Sequence, residues 1–115
     1  MNNHEAIERA LLNYVEGWFE GNAVRMEEAL HAKLAKRHYD NGTVNELDCD
    51  TMIDYTKNQY GKDEKFDSSK VEIKILDVYK NIATAIIITK YVDYVHLVKK
   101  DGKWKILNVL WDHFE

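Results

Sequence analysis

Two hydrophobic periodicities divide this chain. From Glu5 to Glu20, apolar side chains fall at Ile7, Ala10, Leu11, Tyr14 and Trp18, with Val15 and Phe19 beside them. Steps of three and four residues place them on one stripe of an amphipathic helix. Gly21-Asn22 ends that helix, and Asn22 N-caps a second, short helix over Ala23–Leu30 that faces inward with Met26, Ala29 and Leu30. Leu34 to Tyr39 reads as a short strand, closed by the turn signal Asp40-Asn41-Gly42. Asp48 then N-caps a third helix, which runs to about Tyr60 with Met52, Ile53, Tyr55 and Thr56 along it; Asp50 suits its first turn. Gly61 stops it, and Lys62–Ser69 is a solvated loop.

Past that loop the period becomes two. Val71, Ile73 and Ile75 alternate with Glu72 and Lys74, giving a strand with one wet face. Tyr79-Lys80-Asn81 then turns the chain into two long strands, Ile82–Lys99 and Lys103–His113, joined by the tight turn Lys100-Asp101-Gly102. Alternation puts Ala85, Ile87, Thr89, Tyr91, Asp93, Val95 and Leu97 on one face of the first, opposite Ile86, Ile88, Lys90, Val92, Tyr94, His96 and Val98. In the last strand Leu107, Val109, Trp111 and His113 oppose Trp104, Ile106, Asn108 and Leu110, unless a bulge shifts the sets.

Helix, helix, strand, helix and three antiparallel strands predict an α+β fold, a curved sheet wrapped over the helices. A pocket is expected where the concave face meets the stripe of the first helix. Neither face of the long hairpin is polar enough to lie against water, and no helix remains to cover the second. A second copy of the chain is the economical partner, giving a homodimer around Trp104, Ile106, Leu110, Tyr94 and His96.

The chain has 115 residues, so a single domain over 1–115 is expected. A hydrophobic fraction of 45% argues against disorder, and a net charge of -4 against a nucleic-acid or anionic-membrane surface. The densest basic run, Lys33 to Arg37, alternates with Ala and Leu and fits the edge of a strand or helix. No window approaches the ~20 apolar residues of a membrane span, and Met1 to Glu5 lacks the features of a signal peptide. The one cysteine, Cys49, cannot form an internal disulfide, and its neighbours Asp48 and Asp50 disfavour a thiolate. A reducing, cytoplasmic compartment is expected. The histidines show no metal-binding spacing, and no nucleotide loop, serine-hydrolase elbow or Cys-x-x-Cys occurs, so no metal is expected.

Asp93 is where chemistry enters. A carboxylate among Tyr91, Val95 and Leu97 is costly unless it is paired, protonated or turned into a cavity. It is either a pocket group or a brace bonded to Tyr14, Tyr91 or a histidine. Tyr14 is either a pocket donor or a core tyrosine whose hydroxyl finds a carbonyl. Trp18, Tyr55, Tyr91 and Trp111 form either an aromatic wall for a flat ligand or ordinary core.

The succession of elements, ending in Asp101-Gly102-Lys103-Trp104-Lys105-Ile106, resembles the nuclear transport factor 2-like superfamily. Within it, Tyr91-Val92-Asp93-Tyr94 and the stretch Leu97 to Ile106 look like the "putative lumazine-binding" and SnoaL-like group of uncharacterised bacterial proteins. The likeness spans nearly the whole chain, strongest over Tyr14–Leu30 and Tyr91–Trp111, in motifs that are mostly structural. It implies a cone-shaped, cystatin-like fold: a curved sheet closed by three helices around a deep cavity. The superfamily includes ketosteroid isomerase, scytalone dehydratase, SnoaL-like cyclases and noncatalytic transport and scaffold domains.

In the isomerase a helix tyrosine and a protonated aspartate bind an enolate oxygen while a second aspartate moves the proton. The resemblance carries the first two roles to Tyr14 and Asp93. It carries the base role to His38, where a histidine with an ordinary pKa of about 6.5 either moves protons or sits at the strand's rim. The implied function is binding of a small apolar or aromatic molecule, walled by Trp18, Tyr55, Tyr91, Leu107, Val109 and Trp111. Any reaction would be an isomerase- or dehydratase-type proton transfer with no cofactor. The alternative is a noncatalytic dimeric interaction module with a self-filled cavity.

Overall fold

The computed structural model describes residues 1–115. Its elements run α1 (Asn3–Glu20), α2 (Ala23–Ala29), β1 (Leu30–Asp40), β2 (Thr43–Asp48), α3 (Cys49–Lys57), a 3-10 turn (Ser68–Lys70), β3 (Glu72–Tyr79), β4 (Ile82–Ile88), β5 (Tyr91–Lys100) and β6 (Lys103–His113). The six strands form one unclosed curved sheet in the order β2-β1-β6-β5-β4-β3, antiparallel except for the parallel pair β1–β6. The three helices cover its concave face. This is the α+β architecture that the order of elements predicts.

The helix starts follow local chemistry. The side chains of Asn2, Asn22 and Asp48 accept hydrogen bonds from the backbone N–H groups of Glu5, Arg25 and Thr51, satisfying donors that have no partner inside a helix. Gly21, at φ 69°, closes α1 in the left-handed conformation that glycine adopts without strain. The core joins Ile7 and Leu11 of α1, Met26 of α2 and Met52 of α3 to Ile87, Val95, Leu97, Ile106 and Val109 of the sheet. A clamp holds α1 to its surroundings: Glu16 binds Arg25 at 2.5 Å and accepts a hydrogen bond from the Ser68 hydroxyl.

Several expectations need correction. The stretch Ile82–Lys99 is two strands, folded back at Thr89-Lys90 without glycine or proline. There the Tyr91 N–H donates to the Thr89 hydroxyl at 3.1 Å. Because Ile87 pairs with Asp93 and Ala85 with Val95, the fold-back keeps both strands' inner sets on one face. Thr43–Asp48, unassigned from the pattern, forms edge strand β2; nearly all of it is exposed, so it carries no hydrophobic alternation. Helix α3 stops at Lys57, with Gln59 at φ 63°, short of the expected Tyr60.

The largest correction lies in β6. Leu97 pairs with Ile106 but His96 with Asn108, so Leu107 is an extra residue in a bulge. Trp104 and Ile106, expected on the outer face, therefore point into the core at 4% and 0% exposure. Leu107, expected at the pocket, lines an outer groove with Ile82, Thr84 and His96. After the bulge Val109 and Trp111 return to the inner side. The outer face leaves Ile82, Tyr94 and Leu110 exposed.

Candidate functional site

Where the last turns of α1 meet the far end of the sheet, nine residues enclose a cavity of about 60 Å³. Helix α1 contributes Tyr14, Val15, Trp18 and Phe19, which its three- and four-residue spacing puts on the sheet-facing stripe. Strand β1 contributes Lys36, the β4–β5 fold-back Thr89, strand β5 Tyr91 and Asp93, and β6 Trp111. Asp93 is flanked across the sheet by Ile87 and Trp111, both inward-facing. Tyr14 is 3% exposed and Asp93 6%.

Lys36 completes the polar set. The residue is partly exposed, and its ammonium lies 5.1 Å from the ring centroid of Tyr14 and 5.5 Å from those of Trp18 and Trp111. Aromatic faces attract a cation in this geometry. No salt bridge ties it to Asp93. The ends of Tyr14, Lys36 and Asp93 make no hydrogen bond to another protein group, and none is sealed in apolar packing. All three are turned to the cavity.

Burial sets their electrostatics. It pushes the Asp93 carboxyl up to about 6, against the pull of the Lys36 charge. Burial likewise lowers the Lys36 ammonium below the ordinary lysine range, and Asp93 opposes it. Tyr14 is driven well above its ordinary value by burial and then by the charges of Asp93 and Tyr91. At neutral pH Tyr14 is thus a neutral donor, whereas Asp93 is ionised by roughly ten to one.

The other sequence-predicted residues are elsewhere. His38 is the neighbour of Trp111 in the parallel β1–β6 pair, so their rings stack at 4.1 Å. Its Nε2 lies 3.3 Å from an Asp112 carboxylate oxygen, and it does not line the cavity. Tyr55 packs on Tyr60 at 5.0 Å, away from the cavity. Val109 is buried in the core at 2% exposure and does not line the cavity, and Leu107 is on the outer side. Tyr14, Trp18, Tyr91, Asp93 and Trp111 are brought together as the cavity walls. Lys36 was missed because the basic run around it suggests an edge. Period two from buried Leu34 could have found it, since Leu34, Lys36 and His38 share a face.

Gly61 also shapes the site without lining it. A Cβ there would stand 2.1 Å from Cε2 of Trp18, so the bare backbone is what lets the indole lie where it walls the cavity.

A family model described as "Putative lumazine-binding" matches residues 2–112. The chain belongs to this family. Among solved structures, this member of the family is similar to a nuclear transport factor 2-like protein of unknown function from Silicibacter pomeroyi. The two share 17% identity with a TM-score of 0.78, over 99% of this chain and 100% of that one. A nuclear transport factor 2-like protein of unknown function from Shewanella baltica gives 0.76 at 20% identity, over 97% and 94%. A "putative ketosteroid isomerase" from Shewanella frigidimarina gives 0.58 at 19%, over 93% and 94%. At such identities the likeness is one of fold, and the fold is nuclear transport factor 2-like. No curated protein matches the chain.

Proposed function

We propose that this protein binds a small carbonyl compound in the aromatic-walled cavity and catalyses cofactor-free proton transfer beside the carbonyl. One observation carries this reading: Tyr14, Lys36 and Asp93 converge from three elements on one cavity, hydrogen-bonded to no other protein group. A structural brace would offset the cost of burying such groups with hydrogen bonds between them. Tyr14 donates to the carbonyl oxygen, and the Lys36 charge favours the negative charge that develops there. Asp93, ionised at neutral pH with its pKa drawn toward the working range, takes the proton from the adjacent carbon. The base is then Asp93 rather than His38.

Cavity size supports a short ligand. About 60 Å³ holds on the order of four water-sized atoms, whereas drug-sized ligands occupy pockets of about 300–1,000 Å³. A bicyclic ring such as the family description names would enter only if Trp18 or Trp111 swung aside. The test is deuterium uptake by acetone in D₂O, followed by NMR. The wild-type protein is expected to exchange its methyl protons faster than buffer, with the rate rising as pH passes through about 6 and Asp93 ionises. Tyr14→Phe is expected to slow exchange by about 10²–10³-fold. Exchange at the buffer rate would overturn the proposal.

A second reading concerns partners and rests on the apolar outer face. Ile82, Tyr94 and Leu110 are each at least half exposed there, and no helix covers them. Two copies pairing through this face would bury them. The interface would be centred on Tyr94, His96, Leu107 and Leu110, without the core residues Trp104 and Ile106. Light scattering at micromolar concentration is expected to give a dimer mass for the wild-type chain and a monomer for Leu110→Asp; a wild-type monomer would refute the interface. We place this protein in the cytoplasm, a compartment that suits its one unpaired, buried thiol, Cys49. No helix is long and apolar enough to cross a membrane.

A further inference from the structure

We infer that Lys36 is a nucleophile that captures short-chain aldehydes and ketones as a reversible Schiff base. This rests on the reading that the cavity takes a carbonyl compound, and names how it is held. The geometry points there from three sides. The Lys36 nitrogen is one wall of a space of about 60 Å³, so no carbonyl carbon inside can lie far from it. It lies 5.1 to 5.5 Å from the ring centroids of Tyr14, Trp18 and Trp111, none of which hydrogen-bonds it, so its lone pair is free once the ammonium gives up its proton. No salt bridge with a carboxylate commits it to the ammonium form. A lysine desolvated in an aromatic pocket is a recurrent solution for imine chemistry. Burial, which lowers its pKa, increases the share of free amine.

The neighbours supply the rest of the chemistry. The neutral amine adds to the carbonyl carbon while Tyr14 donates a hydrogen bond to the oxygen. A proton moves from the nitrogen to that oxygen and gives the carbinolamine. The Asp93 carboxyl, in its protonated form, then gives its proton to the hydroxyl, which leaves as water as the carbon–nitrogen double bond forms. The product is an iminium on Lys36, facing the Asp93 carboxylate just created. That carboxylate balances the cation and is placed to take a proton from the adjacent carbon, giving an enamine. Reprotonation and addition of water return ketone and free lysine. No oxidant or further reactant enters.

The experiment is reductive trapping. Native protein is incubated with acetone, reduced with sodium borohydride and mapped by peptide mass spectrometry. An isopropyl group is expected on Lys36, exceeding that on any exposed lysine by roughly tenfold or more. The preference is expected to vanish when the protein is unfolded in urea before the ketone is added. Lys36→Arg, which keeps the charge but cannot form an imine, is expected to lose that labelled peptide. Should that variant fail to fold, the wild-type map decides alone. Labelling spread over the exposed lysines without preference for Lys36 would overturn the inference. Deuterium uptake without trapping would overturn the Schiff base and leave the proton-transfer reading; trapping without uptake would do the reverse.

Discussion

Asp93→Asn is expected to stabilise the fold by about 3 kcal/mol at pH 8 while slowing proton transfer by about 10²–10⁴-fold. The stability gain follows from the carboxyl's shift from 3.8 to about 6 at about 1.36 kcal/mol per unit. The folded state binds the Asp93 proton more tightly than the unfolded chain does. Ionising this side chain therefore costs stability in full above pH 6, less as pH falls through 6, and nothing below 3.8. Asparagine cannot ionise, so its advantage is present at pH 8 and gone by pH 3.5. Urea unfolding of both proteins across that range measures it. A variant no more stable than wild type at pH 8 would mean that the carboxylate is stabilised by contacts, and the reading of a carboxylate kept for a ligand would fail. Opposite signs for stability and activity are the mark of a group retained for chemistry.

Gly61→Ala is the second large effect, and it acts on the cavity from outside. The new methyl would stand 2.1 Å from Cε2, 2.3 Å from Nε1 and 2.5 Å from Cδ2 of Trp18, well inside van der Waals contact. Behind the indole lie only the cavity it walls and the Lys36 ammonium. Either the loop after α3 shifts or Trp18 moves into the 60 Å³ space. Overpacking of this kind costs about 1–3 kcal/mol. Both stability and acetone exchange are expected to fall, with a blue or red shift of tryptophan fluorescence reporting the displaced ring. Wild-type stability together with wild-type exchange would show that Trp18 has freedom the packing does not suggest.

Much of the fold was legible because its signals are local. Asn2, Asn22 and Asp48 cap their helices through contacts three residues away, and the α1 stripe needs only the helix period. Two members of the candidate site, Tyr14 and Trp18, follow from that stripe, and Asp93 from the alternation of β5. Less legible was the fold-back at Thr89-Lys90. It lacks glycine and proline, and apolar residues continue on both sides of it, so nothing local marks the turn. Edge strand β2 escaped because both its faces are wet.

His38 and Lys36 show where local reading stops. Both lie on the inner face of β1, and their spacing is identical to that of any two residues on one side of a strand. What separates them is the parallel register with β6, which sets His38 beside Trp111 and Lys36 beside Val109. The Leu107 bulge is of the same kind: one inserted residue reverses the facing of Trp104 and Ile106, and its position depends on how β6 matches β5. The chain's own residues, through capping, periodicity and alternation, determine which elements form, in what order, and that an acid and a tyrosine face the interior. Only the tertiary structure decides which cation joins them and how large the space between them is, because register and curvature arise from pairing between strands far apart in the chain.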